Sequence, residues 1–196
     1  MEPVRAPLRQ NHNPHAPHVA LIAGPGGSGK SSTAARIAQE PNWVHLSEDT
    51  YWDQLKAGRP QGEPRTEAEE LVVQQRLFDD LLAHHLSGRN VVVEFILYQM
   101  PPTPLQNYMR HLEQFGIGHS TFVLKPSASA LRERILARGR PEEMNLEEMQ
   151  LNIDRQLLCL GPEWISPDLV HDTSSLSLEE FYQRVVRPVL DGSSAA

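Results

Sequence analysis

The chain has 196 residues and a formal net charge of −7, with 39 % hydrophobic residues, 22 % charged residues and a single cysteine. This length predicts one domain with a sizeable core, and the lone Cys159 excludes an internal disulfide. The acidic balance argues against a nucleic-acid-binding protein, since such proteins bind phosphates through cationic side chains. No apolar stretch approaches the roughly 20 residues that span a bilayer, and residues 1–17 lack the apolar segment of a secretory signal. We therefore expect a cytoplasmic protein that binds neither membranes nor nucleic acids.

Strand-like apolar segments alternate with helix-like segments along the chain. The predicted strands are residues 18–23, 43–46, 90–95, 121–124 and 168–171; the predicted helices are residues 30–39, 68–86, 104–115, 128–137 and 146–160, and one that begins after Ser177. Residues 54–66 predict a loop, and residues 1–16 and 192–196 predict flexible ends around a domain of residues 17–191. This alternation predicts an α/β domain, a three-layer α/β/α sandwich around a parallel sheet of five strands.

Residues 24–31 match the phosphate-binding motif GxxxxGK[ST] between a predicted strand and a predicted helix. In such a loop, glycines allow successive backbone N–H groups to face the phosphates, a lysine neutralises the phosphates, and the final hydroxyl binds Mg²⁺. The motif therefore predicts a site for ATP and Mg²⁺; the alternative is a glycine-rich turn that binds no nucleotide. The residues assigned to this site are Gly24, Gly26, Gly27, Ser28, Gly29, Lys30, Ser31 and Ser32.

Two acidic residues come at the ends of predicted strands, where ligands of parallel sheets bind. Asp49 follows the second strand and is the candidate base that accepts the proton of a hydroxyl acceptor. Glu48 is its nearest competitor, and the alternative role for Asp49 is to cap a turn. Glu94 ends the third strand and is the candidate acid beside Mg²⁺ or Ser31, because burying an unpaired carboxylate after three valines is costly. Its alternatives are a structural role or contact with the substrate.

Arginines are concentrated near the end of the fifth predicted helix. Arg134 and Arg138 lie four residues apart and share one helix face, and Arg140 follows in a segment that Gly139 ends. This pattern predicts a lid over residues 139–145 that closes on the triphosphate, with Arg138 joining Lys30 in catalysis. The alternative is a solvated basic surface.

Three further residues are candidates for substrate contact. Trp52 and Tyr98 have side chains that stack on a ring, although aromatic residues beside a sheet are more often core. Arg65, in the loop after Asp49, is a candidate for an anionic acceptor, and a solvated loop charge is the alternative.

Together these segments resemble the small-molecule kinases of the nucleoside-monophosphate-kinase-like P-loop group, which includes shikimate, gluconate, uridine and nicotinamide riboside kinases and chloramphenicol phosphotransferase. Residues 45–52 are similar to the riboside-kinase segment in which an Asp before aromatic residues is the base. Residues 138–141 and Arg155 are similar to the lid and post-lid arginines of shikimate kinase, which implies a substrate contact for Arg155. Residues 167–173 are similar to the last strand and adenine-side loop, which implies that Thr173 contacts the nucleotide.

The resemblance implies ATP- and Mg²⁺-dependent transfer of the γ-phosphoryl group to a hydroxyl of a small molecule by a monomer or homodimer. It also implies the strand order 2-3-1-4-5. The acceptor stays open between a sugar acid, a nucleoside and an antibiotic, and the chain departs from shikimate kinase by lacking a Gly-Gly-Gly segment after the third strand. Two alternatives remain, namely a toxin-like kinase of a sugar nucleotide and a nucleotide-dependent switch. A switch needs neither Asp49 nor an arginine lid.

Overall fold

A computed structural model describes residue 4 and residues 16–57, 65–140 and 145–192. The strands are β1 (Val19–Gly24), β2 (Trp43–Ser47), β3 (Asn90–Ile96), β4 (His119–Leu124) and β5 (Val170–His171). They form one parallel sheet in the order β2-β3-β1-β4-β5, which confirms the predicted sheet and strand order. The helices are α1 (Lys30–Ile37), α2 (Glu48–Lys56), α3 (Glu67–Leu86), α4 (Thr103–Gln114), α5 (Ala128–Arg138), α6 (Leu146–Leu158), α7 (Leu178–Phe181) and α8 (Arg187–Leu190). A π-helical stretch, Tyr182–Val186, joins α7 to α8.

The sheet is buried on both faces because successive residues of its strands point to opposite sides. In β1, Val19, Leu21 and Ala23 enter a core formed with α2, α3 and α4. Ala20 and Ile22 enter a second core formed with α1 and the C-terminal helical segment. The result is the predicted three-layer α/β/α arrangement. Within the described ranges, no helix is both long enough and apolar enough to cross a membrane.

A smaller apolar cluster holds α5 against α6 beside the sheet. It consists of Leu131 and Ile135 from α5 and Met149 and Ile153 from α6. Ser127 accepts a hydrogen bond from the backbone N–H of Ala130 at the start of α5, as a cap at this position predicts. The pair therefore forms a packed hairpin whose connection contains residues 139–145.

Helix α2 corrects the sequence analysis, which placed residues 54–66 in a loop. The helix runs from Glu48 to Lys56, so residues 54–56 are helical and Asp49 lies in the first turn. Its buried side is formed by Glu48, Tyr51 and Trp52, with Leu55 packed against the same core. The buried positions have helical spacing. Because the first of them is a glutamate, the sequence does not show the apolar periodicity that would predict a helix here. The rest of the predicted loop, residues 58–64, lies outside the described residues.

The last strand and the N-terminal segment also differ from expectation. A 3₁₀ turn, Pro167–Leu169, occupies the predicted start of the last strand, so β5 has two residues. Val4, in the predicted N-terminal tail, is 8 % exposed and forms a parallel bridge with Ile165. Its backbone N–H donates to the carbonyl oxygen of Trp164 at 2.7 Å, so this residue is packed onto the domain.

Candidate nucleotide and acceptor site

A cavity of about 910 Å³ lies at the carboxyl ends of the central strands. Its described lining includes most of the residues that the sequence singled out: Gly26, Gly27, Ser28, Gly29, Lys30, Ser31, Ser32, Asp49, Arg65, Glu94, Tyr98, Arg134, Arg138, Arg140 and Thr173. Gly24, Trp52 and Arg155 are not part of this lining. Most of the phosphate-loop motif, both acidic candidates and four arginines therefore share one cavity.

The phosphate loop has a backbone that side chains would disrupt. A Cβ atom at Gly24 would lie 2.5 Å from the carbonyl oxygen of Leu124, so no larger residue fits at this position without a shift of the backbone. Gly27 has a φ of 77°, and a Cβ there would lie 2.9 Å from Cγ1 of Ile135. Helix α1 begins after Gly29 with no side-chain cap on its first-turn N–H groups. These N–H groups, at the positive end of the helix, suit an anion.

Lys30 folds back over the loop. Its Nζ donates a hydrogen bond to the carbonyl oxygen of Pro25 at 2.8 Å. Burial lowers the pKa of Lys30 to about 8, and the negative charges of Glu94 and Asp49 offset only part of this effect. A phosphate group in the loop would favour the charged ammonium and raise the pKa again.

Ser31 and Glu94 form a direct pair at the base of the loop. The Ser31 hydroxyl donates to Oε2 of Glu94 at 2.7 Å, and Nε2 of His45 lies 3.3 Å from Oε1. Glu94 is 5 % exposed, and burial alone would raise its pKa; contacts with His45, Ser31 and Ser47 outweigh burial and lower it. The carboxylate is thus held ionised beside the phosphate loop.

This arrangement fits Mg²⁺ held jointly with a nucleotide. Among the described residues, no group of three or more His, Cys, Asp or Glu side chains forms a metal cage. Mg²⁺ typically keeps several waters and takes few protein ligands beside phosphate oxygens, which matches one serine hydroxyl next to one carboxylate. Sequence reasoning missed His45 and Ser47. Alternation along β2, which pairs in parallel with β3, places both on the face that Glu94 shares.

Asp49 lines the same cavity, and its negative charge acts on Lys30 together with that of Glu94. Its side chain is 73 % exposed, and Nη2 of Arg65 lies 3.9 Å from its Oδ1. The Arg65 guanidinium stacks over the ring of Trp52, 4.5 Å from the centroid, while Trp52 itself is 3 % exposed. Trp52 is therefore a core residue that supports Arg65 and does not line the cavity.

Glu48 points away from the cavity into the protein. It is 3 % exposed, and its Oε1 has no hydrogen-bond partner in the described part of the chain. Burial, together with the nearby charge of Glu70, raises the pKa of Glu48 to about 8. Glu48 is thus neutral near pH 7, while the adjacent Asp49 reaches the cavity.

The arginines of α5 reach the phosphate loop from the other side. Arg134 donates from Nη2 to the carbonyl oxygen of Thr173 at 2.6 Å and from Nη1 to that of Ser28 at 3.5 Å. It thereby joins the phosphate loop to the segment after β5. Arg138 and Arg140 line the cavity on either side of Gly139, whose φ of 65° ends the helix. Residues 141–144 of the predicted lid lie outside the described residues.

Helix α6 contributes a different residue from the one that the sequence indicated. Arg155 is exposed, whereas its neighbour Gln156 lines the cavity. The Gln156 Oε1 accepts a 2.7 Å hydrogen bond from the backbone N–H of Gly26. Sequence reasoning missed Gln156 because a neutral amide on a helix carries no charge signal.

A family model described as "AAA domain" matches residues 19–157, which run from β1 into α6 and include the phosphate loop. The chain belongs to this AAA domain family. The match covers Lys30, Ser31, Asp49, Glu94 and the arginines of α5. These residues of the cavity therefore lie within the part of the chain that defines the family, and the phosphate-loop fold is that of a P-loop nucleotide-binding domain.

Solved structures share the fold at low sequence identity. A sugar kinase from Janibacter sp. HTCC2649 has a TM-score of 0.62 at 17 % identity, with 91 % of this chain and 97 % of that chain covered. A gluconokinase from Sinorhizobium meliloti 1021 has a TM-score of 0.58 at 20 % identity, with 92 % and 93 % covered. A chain of the Pnkp1/Rnl/Hen1 RNA repair complex has a TM-score of 0.58 at 21 % identity; 76 % of this chain matches, and the match spans 46 % of that longer chain. No curated protein matches the sequence.

Proposed function

We propose that this protein is a phosphotransferase that uses ATP and Mg²⁺ to phosphorylate a hydroxyl group of a small molecule. The observation that carries the proposal is the single cavity in which the phosphate loop, the Ser31–Glu94 pair, Asp49 and the α5 arginines meet. A nucleotide-binding switch would need the loop and the serine, but not the further acidic side chain of Asp49 in the same cavity. The similar folds of a sugar kinase and a gluconokinase support a hydroxylated acceptor.

On the nucleotide side, the loop N–H groups and Lys30 hold the phosphates. Arg134 holds the backbone of Thr173, and we infer that the segment carrying Thr173 contacts the nucleoside. Ser31 would bind Mg²⁺, and Glu94 would orient Ser31 and a metal-bound water. When bound, Mg²⁺ would neutralise negative charge on the nucleotide phosphates.

On the acceptor side, Asp49 accepts the proton of the acceptor hydroxyl as that oxygen bonds to the γ-phosphorus. The bond from the γ-phosphorus to the bridging oxygen breaks, and ADP leaves. Arg138 and Arg140 neutralise the charge that spreads over the transferred group. Arg65 and Tyr98, which also line the cavity, would orient the acceptor. A substrate contact for Arg155, which is exposed outside the cavity lining, stays a prediction from the sequence.

The test is a screen of ADP release against hydroxylated compounds: sugars, sugar acids, nucleosides, aminoglycosides and other hydroxylated antibiotics, a sugar nucleotide and a 5′-hydroxyl oligonucleotide. We expect slow release in water alone and a large increase with one class of small acceptor. Stimulation by the sugar nucleotide would favour the toxin-like alternative. Release that no hydroxyl compound changes would contradict the proposal and favour a switch.

Closure of the predicted lid is part of the same proposal. We expect amide hydrogen exchange over residues 139–145 to slow when ATP and Mg²⁺ bind, because Arg138 and Arg140 would then contact phosphate. Equal exchange with and without nucleotide would leave these arginines as surface charge. We place the activity in the cytoplasm, where ATP is supplied.

A further inference from the structure

The α5–α6 hairpin contacts three consecutive residues of the phosphate loop. Gln156 accepts from the N–H of Gly26 at 2.7 Å, and the Arg134 guanidinium reaches the carbonyl oxygen of Ser28. Between them, Ile135 packs so closely on Gly27 that a Cβ would meet its Cγ1 at 2.9 Å. The hairpin that carries the cavity arginines therefore rests directly on the loop.

These three contacts differ in what a nucleotide would do to them. The Ile135 contact is apolar, and the Arg134 bond uses a carbonyl oxygen, so neither competes with a phosphate. The Gly26 N–H is different, because it is a backbone donor within the motif whose N–H groups cradle phosphates. Gln156 thus occupies a donor of the phosphate-binding loop.

Packing explains why Gln156 is held at this place. Ile153, three residues earlier on α6, is buried in the cluster with Leu131 and Ile135 of α5. Residues three apart share a helix face, so this cluster fixes α6 with Gln156 turned toward the loop. The arrangement is a hydrogen bond on a packed helix rather than a loose surface contact.

We propose that Gln156 is a gating residue of the phosphate loop: its amide oxygen takes the place of a phosphate oxygen on the Gly26 N–H, and a bound nucleotide displaces it. The displacement breaks this hydrogen bond between α6 and the loop, while α5 stays attached through Ile135 and Arg134 and α6 stays packed on α5. Nucleotide binding is thereby coupled to the position of the Gln156 side chain. The inference rests on the proposed function only in requiring that the loop bind a nucleotide.

Binding of ATP–Mg²⁺ and ADP–Mg²⁺ to Gln156→Met tests the competition. Methionine keeps the length of the side chain and removes the amide, so we expect affinity to rise roughly two- to tenfold, the value of one net hydrogen bond. The matched control is Gln150→Met on the same helix, whose amide bonds to Asp154 one turn later at 2.9 Å; its affinity should equal that of the wild type. Unchanged or weaker binding in Gln156→Met overturns the proposal, and weaker binding would make Gln156 a direct nucleotide ligand.

Gln156→Glu should change the nucleotide affinity in the opposite direction. A carboxylate keeps the bond to the Gly26 N–H, strengthens it and repels phosphate, so affinity should fall, most of all at low salt. Affinity equal to that of the wild type overturns the proposal. Thermal unfolding should show that each variant is folded, with Gln156→Ala replacing the methionine variant if that one is not.

Hydrogen exchange of the Gly26 amide separates this inference from the proposed function. In the nucleotide-free protein, the amide should exchange more slowly in the wild type than in Gln156→Met. Equal exchange overturns the inference even if ATP binds. Absence of ATP and ADP binding to the wild type overturns the proposed function, and the exchange comparison still decides whether Gln156 holds the loop.

Discussion

The Ser31 hydroxyl donates to the Glu94 carboxylate at 2.7 Å, although the two residues are 63 positions apart. Glu94 reaches this position because β3 pairs in parallel with β1, opposite Ile22, on the face that α1 covers. Since the hydroxyl proton is directed to Glu94, the lone pairs of Ser31 remain available for a cation. The sheet register thus places Glu94 beside Ser31, at the end of the phosphate loop where we propose that Mg²⁺ binds.

Glu94→Gln should weaken the response to Mg²⁺. The amide removes the negative charge that accepts the Ser31 proton, and loss of such an outer partner typically costs about 10–100-fold in metal affinity. We expect the Mg²⁺ concentration for half-maximal activity to rise by about that factor. Glu113→Gln, at an exposed site on α4, is the control. An unchanged Mg²⁺ titration would show that Glu94 has only a structural role.

Asp49→Asn should lower kcat with little change in ATP affinity. The amide keeps the shape of the side chain and cannot accept the hydroxyl proton, a form of assistance worth roughly 10²–10⁴ in rate. Asp53→Asn, exposed on the same helix, should retain normal turnover. Steady-state kinetics and nucleotide binding separate the two effects. A stable Asp49→Asn enzyme with near-normal kcat would exclude Asp49 as the base.

Lys30 should make nucleotide binding depend on pH near 8. In the nucleotide-free protein, burial lowers the pKa of Lys30 to about 8, so the side chain is neutral above that pH. Because phosphates favour the charged form, binding should take up protons there, and affinity should fall as the pH rises through 8. Calorimetry in two buffers of different ionisation heat measures the uptake. Lys30→Ala should bind ATP much more weakly and without this uptake, and wild-type binding without proton uptake would contradict the assignment.

Glu48 should make folding stability fall as the pH rises from about 4.5 to about 8. Burial raises its pKa from 4.5 to about 8 in the folded protein, so the folded state binds more protons than the unfolded state across this window. Stability is then lost with rising pH, as linkage requires. Glu48→Gln should remove the loss and stabilise the protein at pH 9 by roughly 2–4 kcal/mol. The free energy of unfolding, measured with denaturant at pH 5 and pH 9, checks this. The same change in that free energy between the two pH values in both proteins would contradict the prediction.

Much of the architecture could be predicted because local sequence patterns match the secondary structure that the tertiary packing requires. Apolar strands followed by helices gave the layers, and the phosphate loop located the site from eight residues. The Ser177 capping box predicts the start of α7, and the structure shows both of its hydrogen bonds with Glu180. The resemblance to P-loop kinases supplied the strand order, which register and packing then confirm.

The remaining features depend on long-range contacts that no local pattern contains. Helix α2 was missed because the buried first position of its inner face is Glu48, which reads as polar. Trp52 lies in the core under Arg65, an outcome that its aromatic character alone does not distinguish from a binding role. On α6, the resemblance to shikimate kinase predicts a substrate contact for Arg155, but Arg155 is exposed and the next residue, Gln156, bonds to the loop instead.

Transfer of the γ-phosphoryl group to an organic hydroxyl is tested most directly by phosphorus NMR of a reaction with ATP, Mg²⁺ and the best acceptor from the screen. We predict that phosphorylated acceptor and ADP form in equal amounts, with little inorganic phosphate, and that both are strongly reduced in Asp49→Asn. Appearance of the entire γ-phosphate as inorganic phosphate, at the same rate with and without acceptor, would contradict the proposed function.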